Sequence, residues 1–449
     1  MPAHWRNWAG DQTCAPERLE RPDGEEELAG VLRRATEAGQ RVRVAGAGHS
    51  FTDIACTDHV MVDLSRMKRV LRAEGDLVTV QAGIRLRELA AELAERGLAL
   101  ENQGDIDLQT LAGAVATATH GTGARFPNLS AQIAGMTLLT AAGERVEVDE
   151  GSEELLAARV NLGALGVVSE LTVRCVPLFS IRRVDEPRPL RAALERFEEV
   201  ALEHDHFELF AFPYTDTGVV LSSERGDFEP RPPRRARAYV QEVLIENRLL
   251  GAAFRLGRRF PRLIPAVNRG LARAVSRTVR TDLSHRVYAN RRDVRFTEME
   301  YALPREHGGE AARRVLDLIE RRRMDVGFPI EVRVARGDDA YLSTAHGRDT
   351  AYIAVHQYVG MQFEGYFRAV ESIMREYGGR PHWGKRHYRT AADLRELYPD
   401  WDRFQAVRER LDPGGRFSND YTDRVLGPVT GSSAPRPGRW GLRRRSALR

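Results

Sequence analysis

At 449 residues, 42% apolar and 29% charged, the chain is too long for one compact core and has the ordinary make-up of a soluble globular protein of two or more domains. No stretch approaches the roughly 20 apolar residues of a membrane span. The first residues, with Trp5, Asn7 and Asp11, lack the basic-then-apolar order of an export signal. The net charge of +4 is modest but unevenly placed.

In chain order, helical periodicity over 25–38 follows the turn Pro22-Asp23-Gly24. A strand at 41–44, a glycine-spaced turn and strands at 60–64 and 77–82 come next, then a helix at 86–96 ended by Gly97. Residues 111–118 carry small side chains throughout, which permits close approach to a flat cofactor or a neighbouring element. Segments 132–140 and 144–148 read as a hairpin about Ala142-Gly143, and 171–176 as a strand before Pro177. Beyond it, strands are expected at 207–212, 218–222, 295–302, 330–335 and 351–358, with a helix at 363–377. Many short strands among few helices indicate α+β rather than a regular βαβ array. From Gly427 onward Gly, Ser, Pro and Arg dominate, and a disordered tail is expected.

Arginines crowd residues 231–295, interleaved at helical spacing with Leu244, Leu249, Leu250, Phe254, Leu256, Phe260, Leu263 and Ile264. Three readings stand: an amphipathic element packed on its own domain, peripheral contact with an anionic membrane, or nucleic-acid binding. No base-reading helix or aromatic RNA motif supports the last. The three cysteines, Cys14, Cys56 and Cys175, are widely spaced and read as reduced thiols without pairing or metal spacing.

The most informative segment is VAGAGHSF, residues 44–51. Its glycines leave backbone N–H groups free to face an anion such as a diphosphate. A nicotinamide fingerprint would need a third glycine and an immediate helix, whereas this turn runs into His49, Ser50, Phe51 and Thr52. His49 could cap the turn, ligate a metal or bond to a cofactor; no partner with ligand spacing lies nearby. Glu331 and Arg333 alternate on a strand whose Ile330, Val332 and Val334 are apolar, so a charged face points away from a core.

Further motifs are GDIDLQTLAGAVATATHGTG at 104–123, GALGVVSE at 163–170, Glu331-Val332-Arg333, PHWGK at 381–385 and DPGGRFSN at 412–419. In this order they resemble the FAD-linked sugar-acid lactone and alditol oxidases: gulonolactone, arabinonolactone and alditol oxidases, of the vanillyl-alcohol-oxidase type. The resemblance runs from about residue 7 to about residue 426. It implies an α+β fold with a vanillyl-alcohol-oxidase type FAD-binding domain at 10–178, an antiparallel-sheet cap at 179–379 and a segment, 380–426, that returns to the flavin domain before the basic tail 427–449.

The resemblance also assigns roles. FAD would be bound by Ala45, Gly46, Ala47, Gly48, His49, Ser50 and Phe51, by Gly104, Asp105 and Thr110, by Gly113, Ala116, Thr117 and His120, and by Gly166 and Val168. His49 would bond covalently to the flavin 8α carbon. No cysteine lies in 104–123, so a second covalent tether is not expected. Gly104 would leave room for dioxygen at the flavin. Glu331, Arg333 and Lys385 would be catalytic, and Asp105, His356 and Tyr358 would bind substrate. Alditol oxidases carry serine at the position of Asp105, a departure that argues against their open-chain substrate preference, and threonine at that of His356, which points to ring-shaped lactones. The implied activity is oxidation of a sugar-acid 1,4-lactone with dioxygen as acceptor, giving hydrogen peroxide. Alditol oxidation, or a dehydrogenase passing electrons to a carrier at the membrane, is the alternative. The implied partners are a sugar lactone or polyol and dioxygen, with no nucleic acid and no metal. The implied location is the cytoplasm or the inner face of its membrane.

Overall fold

The computed structural model describes residues 4–232, 250–289 and 294–429. A small parallel sheet is built from β1 (Arg18–Glu20), β2 (Val42–Val44) and β3 (Val60–Val62), in the order β1-β3-β2. The helix Glu25–Glu37 joins β1 to β2. It buries Leu28, Val31, Leu32 and Ala35, one stripe at helical spacing, and starts with three glutamates that favour its positive N-terminal end. An antiparallel sheet follows, made of β4 (Val70–Glu74), β5 (Leu77–Gln81), β6 (Ile133–Leu139), β7 (Arg145–Asp149) and β8 (Val167–Arg174), in the order β7-β6-β8-β5-β4.

The second body is an eight-stranded antiparallel sheet. Its strands are β9 (Ser180–Pro189), β10 (His206–Ala211), β11 (Thr217–Gly226), β12 (Thr278–Leu283), β13 (Phe296–Pro304), β14 (Ile330–Ala335), β15 (Thr350–Tyr358) and β16 (Arg380–Pro381). They are ordered β12-β9-β11-β10-β14-β15-β13-β16. Leu209, Tyr301, Val332 and Ile353 point to one face, where the helices Gly308–Arg321 and Glu364–Glu376 complete a hydrophobic core. Directly paired residues share a face. Glu208 pairs with Arg333, Arg333 with Tyr352, Glu331 with Ala354, Ala354 with Glu300, and Glu298 with His356. The opposite face of this sheet therefore carries the charge. The ten-residue strand β9 was not expected, because only Ile181 and Val184 give it apolar character.

The C-terminal residues join the first body: Trp383, Leu394, Phe404, Phe417 and Tyr421 belong to the same core as Leu28 and Val62. Polar staples fix this return. The buried Arg43 guanidinium donates to the carbonyls of Ile54, Leu162, Gly163 and Phe417, tying β2 to two distant motifs. Burial, reinforced by Arg408, lowers its pKa to about 10, so it stays charged at neutral pH. Asn419 donates to the carbonyls of Asp53, Ile54 and Cys56, and Phe51 N–H donates to the Gly384 carbonyl at 2.7 Å.

The basic amphipathic stretch contains the helices Leu250–Arg259 and Ile264–Ala274. Phe254 and Ile264 are buried, while Leu256, Phe260 and Leu263 are exposed at 43%, 49% and 43%. Residues 233–249 and 290–293 of that stretch, and the expected tail from 430 on, lie outside the described residues. No helix among the described residues is long and apolar enough to cross a membrane. The cysteine expectation needs one amendment: Cys14 and Cys56 meet in a single small cluster with Ala45 and Met61, and all three thiols are free.

Candidate active site

Two chambers adjoin, the first within the first body and the second between it and the eight-stranded sheet. The first, of ≈ 560 Å³, is lined by Ala45, Gly46, Ala47, Gly48, His49 and Ser50 on one side. Thr110, Gly113, Ala116, Thr117, Gly166 and Val168 line the other. Among the described residues, the N–H groups of residues 46–50 donate to no protein acceptor, so the turn offers a row of unclaimed amides. Gly48 takes φ 71°, a conformation that glycine adopts without strain, while its carbonyl accepts from Trp8 N–H at 2.7 Å.

The second chamber, of ≈ 500 Å³, shares His49, Ser50 and Thr117 with the first. Its walls include Phe51, Gly104, Asp105, His120, Arg333 and Lys385, together with Glu298, Glu300 and His382. The turn and the cap's charged face thus meet in one cleft, with His49 at the junction. The His49 ring stacks on Trp8, with centroids 5.7 Å apart. Burial, then the nearby Lys385 and Arg85 charges, lowers its pKa to about 4, so it presents a neutral imidazole at physiological pH.

Arg333 is the hub of the charged face. Its guanidinium donates to Glu208 at 3.0 and 3.1 Å, pairs with Glu331, and lies 3.5 Å from Asp105. Burial alone would depress its pKa, but Glu208, Glu331 and Asp105 outweigh that and hold it well above the usual arginine value. Lys385 Nζ lies 2.5 Å from Glu298 and 5.2 Å above the Phe51 ring. Burial would lower the ammonium; Glu298 and Glu300 override it and raise it. For Glu298, burial would raise the carboxyl, but Lys385 and His356 hold it well below the ordinary range. Glu300 follows the same logic, with His120 bringing it down to about 2.

Three expected site residues stand back from the chamber wall. Glu331 lies behind Arg333 on β14. His356 sits behind Glu298, 3.5 Å from its carboxylate, with its ring edge-on to Phe296. Tyr358 ends β15 and packs toward Phe254, with Arg258 over its ring, so the substrate-binding role expected for it finds no cavity wall. His356 and Tyr358 share a face, as expected, but the strand runs past the cavity before it reaches Tyr358.

Glu208, Glu298, Glu300 and His382 were missed. The signal for three of them was present: Glu298 and Glu300 alternate on β13 with the core residues Met299 and Tyr301, and Glu208 lies on β10 between the core residues Phe207 and Leu209, the same pattern that picked out Glu331 and Arg333. His382 gave no comparable signal, because its importance comes from chain return.

The cleft fits FAD: unclaimed amides for a diphosphate, glycines where the backbone must come close, and a neutral imidazole where two chambers meet. Comparison with known proteins agrees. Residues 16–149 match the FAD-binding domain family, and residues 171–425 match the D-arabinono-1,4-lactone oxidase family. L-gulono-1,4-lactone dehydrogenase of Mycobacterium tuberculosis is 55% identical over 426 residues, covering 94% of this chain and 99% of that protein.

The chain belongs to the D-arabinono-1,4-lactone oxidase family.

Within that family's reach, L-gulonolactone oxidase of Bos taurus is 35% identical over 94% of this chain and 98% of its own length. An alditol oxidase of Streptomyces is 32% identical over 94% and 98%. A solvent-stable cholesterol oxidase superposes with a TM-score of 0.81 at 18% identity, covering 95% and 97%, which speaks for the fold alone. The protein is thus an α+β flavoprotein of the vanillyl-alcohol-oxidase type and an FAD-dependent oxidoreductase acting on a CH–OH donor.

Proposed function

We propose that the protein oxidises the carbinol carbon of an aldono-1,4-lactone, of the gulono or arabinono type, in the second chamber. The observation that carries this reading is the convergence of Arg333, Lys385 and a ring of buried carboxylates on one wall of that chamber. FAD would be held by residues 45–51 and by the 104–123 and 163–168 segments, and would supply the hydride acceptor when bound. Arg333 hydrogen-bonds substrate oxygens and stabilises negative charge as it develops. Lys385 adds a second fixed positive charge, and Phe51 and Phe296 exclude water. Asp105, already turned toward Arg333, accepts from a ring hydroxyl. Anaerobic bleaching of the flavin absorbance by L-gulono-1,4-lactone and D-arabinono-1,4-lactone, against xylitol and sorbitol, tests the substrate class. Faster reduction by the polyols would overturn it.

Dioxygen is the acceptor we favour, because Gly104 leaves the chamber wall bare beside Asp105. An added Cβ there would sit 3.0 Å from the His120 carbonyl. A carrier-coupled dehydrogenase is the second reading, favoured by the 55% identical relative being an L-gulono-1,4-lactone dehydrogenase. Stoichiometric peroxide in air-saturated buffer supports the first; turnover with artificial dyes alone supports the second. On either reading, Leu256, Phe260 and Leu263 with their flanking arginines form a surface suited to an anionic membrane. Co-sedimentation with phosphatidylserine vesicles, lost when Phe260 and Leu263 become serine, is the expected result. Equal binding by that variant would dismiss the contact.

We further propose a covalent bond between His49 and the flavin. A neutral imidazole of depressed pKa is a competent nucleophile. The acid-precipitated protein is expected to stay yellow, and His49→Ala to release its flavin into the supernatant. A colourless wild-type precipitate would reject the bond while leaving the fold intact.

A further inference from the structure

Resting on the functional reading above, the reaction releases one proton from the substrate hydroxyl for each hydride removed, and a base has to take it. The groups assigned to catalysis by resemblance are poorly suited. Arg333 and Lys385 are cations whose charge is held by carboxylates. Glu331 is paired with Arg333, and Glu298 is engaged by Lys385 and His356. Of the other titratable groups on the chamber wall, Asp105 faces Arg333 and His49 sits at the junction with the first chamber; Asp107, Glu300, His120 and His382 remain, and the last three form one buried cluster.

Hydrogen bonds fix where their protons are. Gly384 N–H donates to His382 Nδ1 at 3.0 Å, so the neutral His382 ring carries its hydrogen on Nε2. His120 Nδ1 lies 2.8 Å from the Gly121 carbonyl, which can only accept, so this nitrogen carries hydrogen too. His120 Nε2 then faces Glu300 Oε1 at 3.1 Å. A lone pair and a carboxylate oxygen at that distance call for a proton between them, so the two side chains share it. The His120 ring is held by stacking on Tyr352, with centroids 3.5 Å apart. The second oxygen of Glu300 makes no hydrogen bond among the described residues.

The three side chains also bring one donor atom each within 4.8 Å, as a metal site would. His382 has no lone pair to give, since Nδ1 takes the Gly384 amide and Nε2 bears hydrogen. Lys385 and Arg333 in the same chamber oppose a dication as well. A proton is the better occupant.

We propose that the His120–Glu300 pair is the catalytic base. With its shared proton absent, Glu300 takes the hydroxyl proton while the C–H electron pair leaves as hydride to the flavin. The O–H pair becomes the second carbon–oxygen bond of the ketone product, and the proton is then held between Glu300 and His120. His382, Lys385, Arg333 and Tyr352 face the pair from the neighbouring elements, and Glu298 faces His382 beside it. Only the deprotonated pair works, so the rate of flavin reduction rises with pH and then levels off.

The test uses the FAD-loaded protein, with L-gulono-1,4-lactone mixed anaerobically across pH. Glu300→Gln is expected to slow the limiting reduction about 10²–10⁴-fold and to flatten its rise with pH, with lactone affinity little changed. Glu300→Asp should restore part of the rate, and His120→Gln should move the rise to lower pH. An infrared titration of the oxidised protein without substrate is expected to show one proton entering the pair, absent in Glu300→Gln. A rate within about fivefold of wild type in Glu300→Gln, with the pH rise kept, would overturn the proposal. So would an infrared titration that finds no such proton, whatever the substrate. If lactones fail to reduce the wild-type flavin, it is the functional reading that fails, and the infrared result still judges the pair.

Discussion

Arg333→Met is expected to lose about 10²–10³-fold in the limiting rate of flavin reduction and to cost about 3–5 kcal/mol of stability at neutral pH. Both losses come from one geometry. Arg333 neutralises Glu208, Glu331 and Asp105 at once, and removing it leaves buried carboxylates facing each other. The pH dependence should change sign. In the wild type, burial would raise Glu208, but Arg333 overrides it and its pKa is lowered. A depressed pKa contributes stability that is present above the unfolded value of about 4.3 and fades as pH falls through the folded value. In the variant, burial acts on these carboxyls without the cation and raises them. Stability is then lost as pH rises through the raised values, so the variant should melt higher at about pH 5 than at about pH 8. Thermal melts across that range check this. A variant melting at the wild-type temperature at pH 8 would refute the hub role.

Lys385→Met is the second large effect, a fall of about 10²–10³-fold in the limiting rate with a smaller change in lactone affinity. The ammonium is fixed by Glu298 before any substrate arrives, so it stabilises charge without reorganising. Its loss should also make the flavin midpoint potential more negative, because a reduced anionic ring would no longer have this cation near it. Equilibration with a reference dye gives that potential without turnover. An unchanged potential together with an unchanged rate would remove Lys385 from the site. Lys385→Arg should recover part of both, since charge is kept while the compact donor is not.

These expectations draw on both what the sequence shows and what it hides. The His49 turn was legible because glycine spacing after a short strand has few physical uses. Glu331 and Arg333 were legible because period-two alternation separates a charged face from an apolar one. Glu298 and Glu300 obey the same rule within Phe296–Pro304 and were open to the same reading. Tyr358 shows the limit of that rule: alternation gives the face of a residue but not where along the strand a cavity ends.

The sequence by itself determined the local pieces: the anion-binding turn, the small-residue helix, the alternating strands and the ordered motifs that mark the family. The tertiary structure alone decided who neutralises whom. Glu208 meets Arg333 through the pairing of β10 with β14, and His382 reaches Glu300 because the C-terminal segment returns along β13. Such contacts are set by strand register and by long loop closures, whose free energies depend on the whole core and leave no short-range mark on the chain.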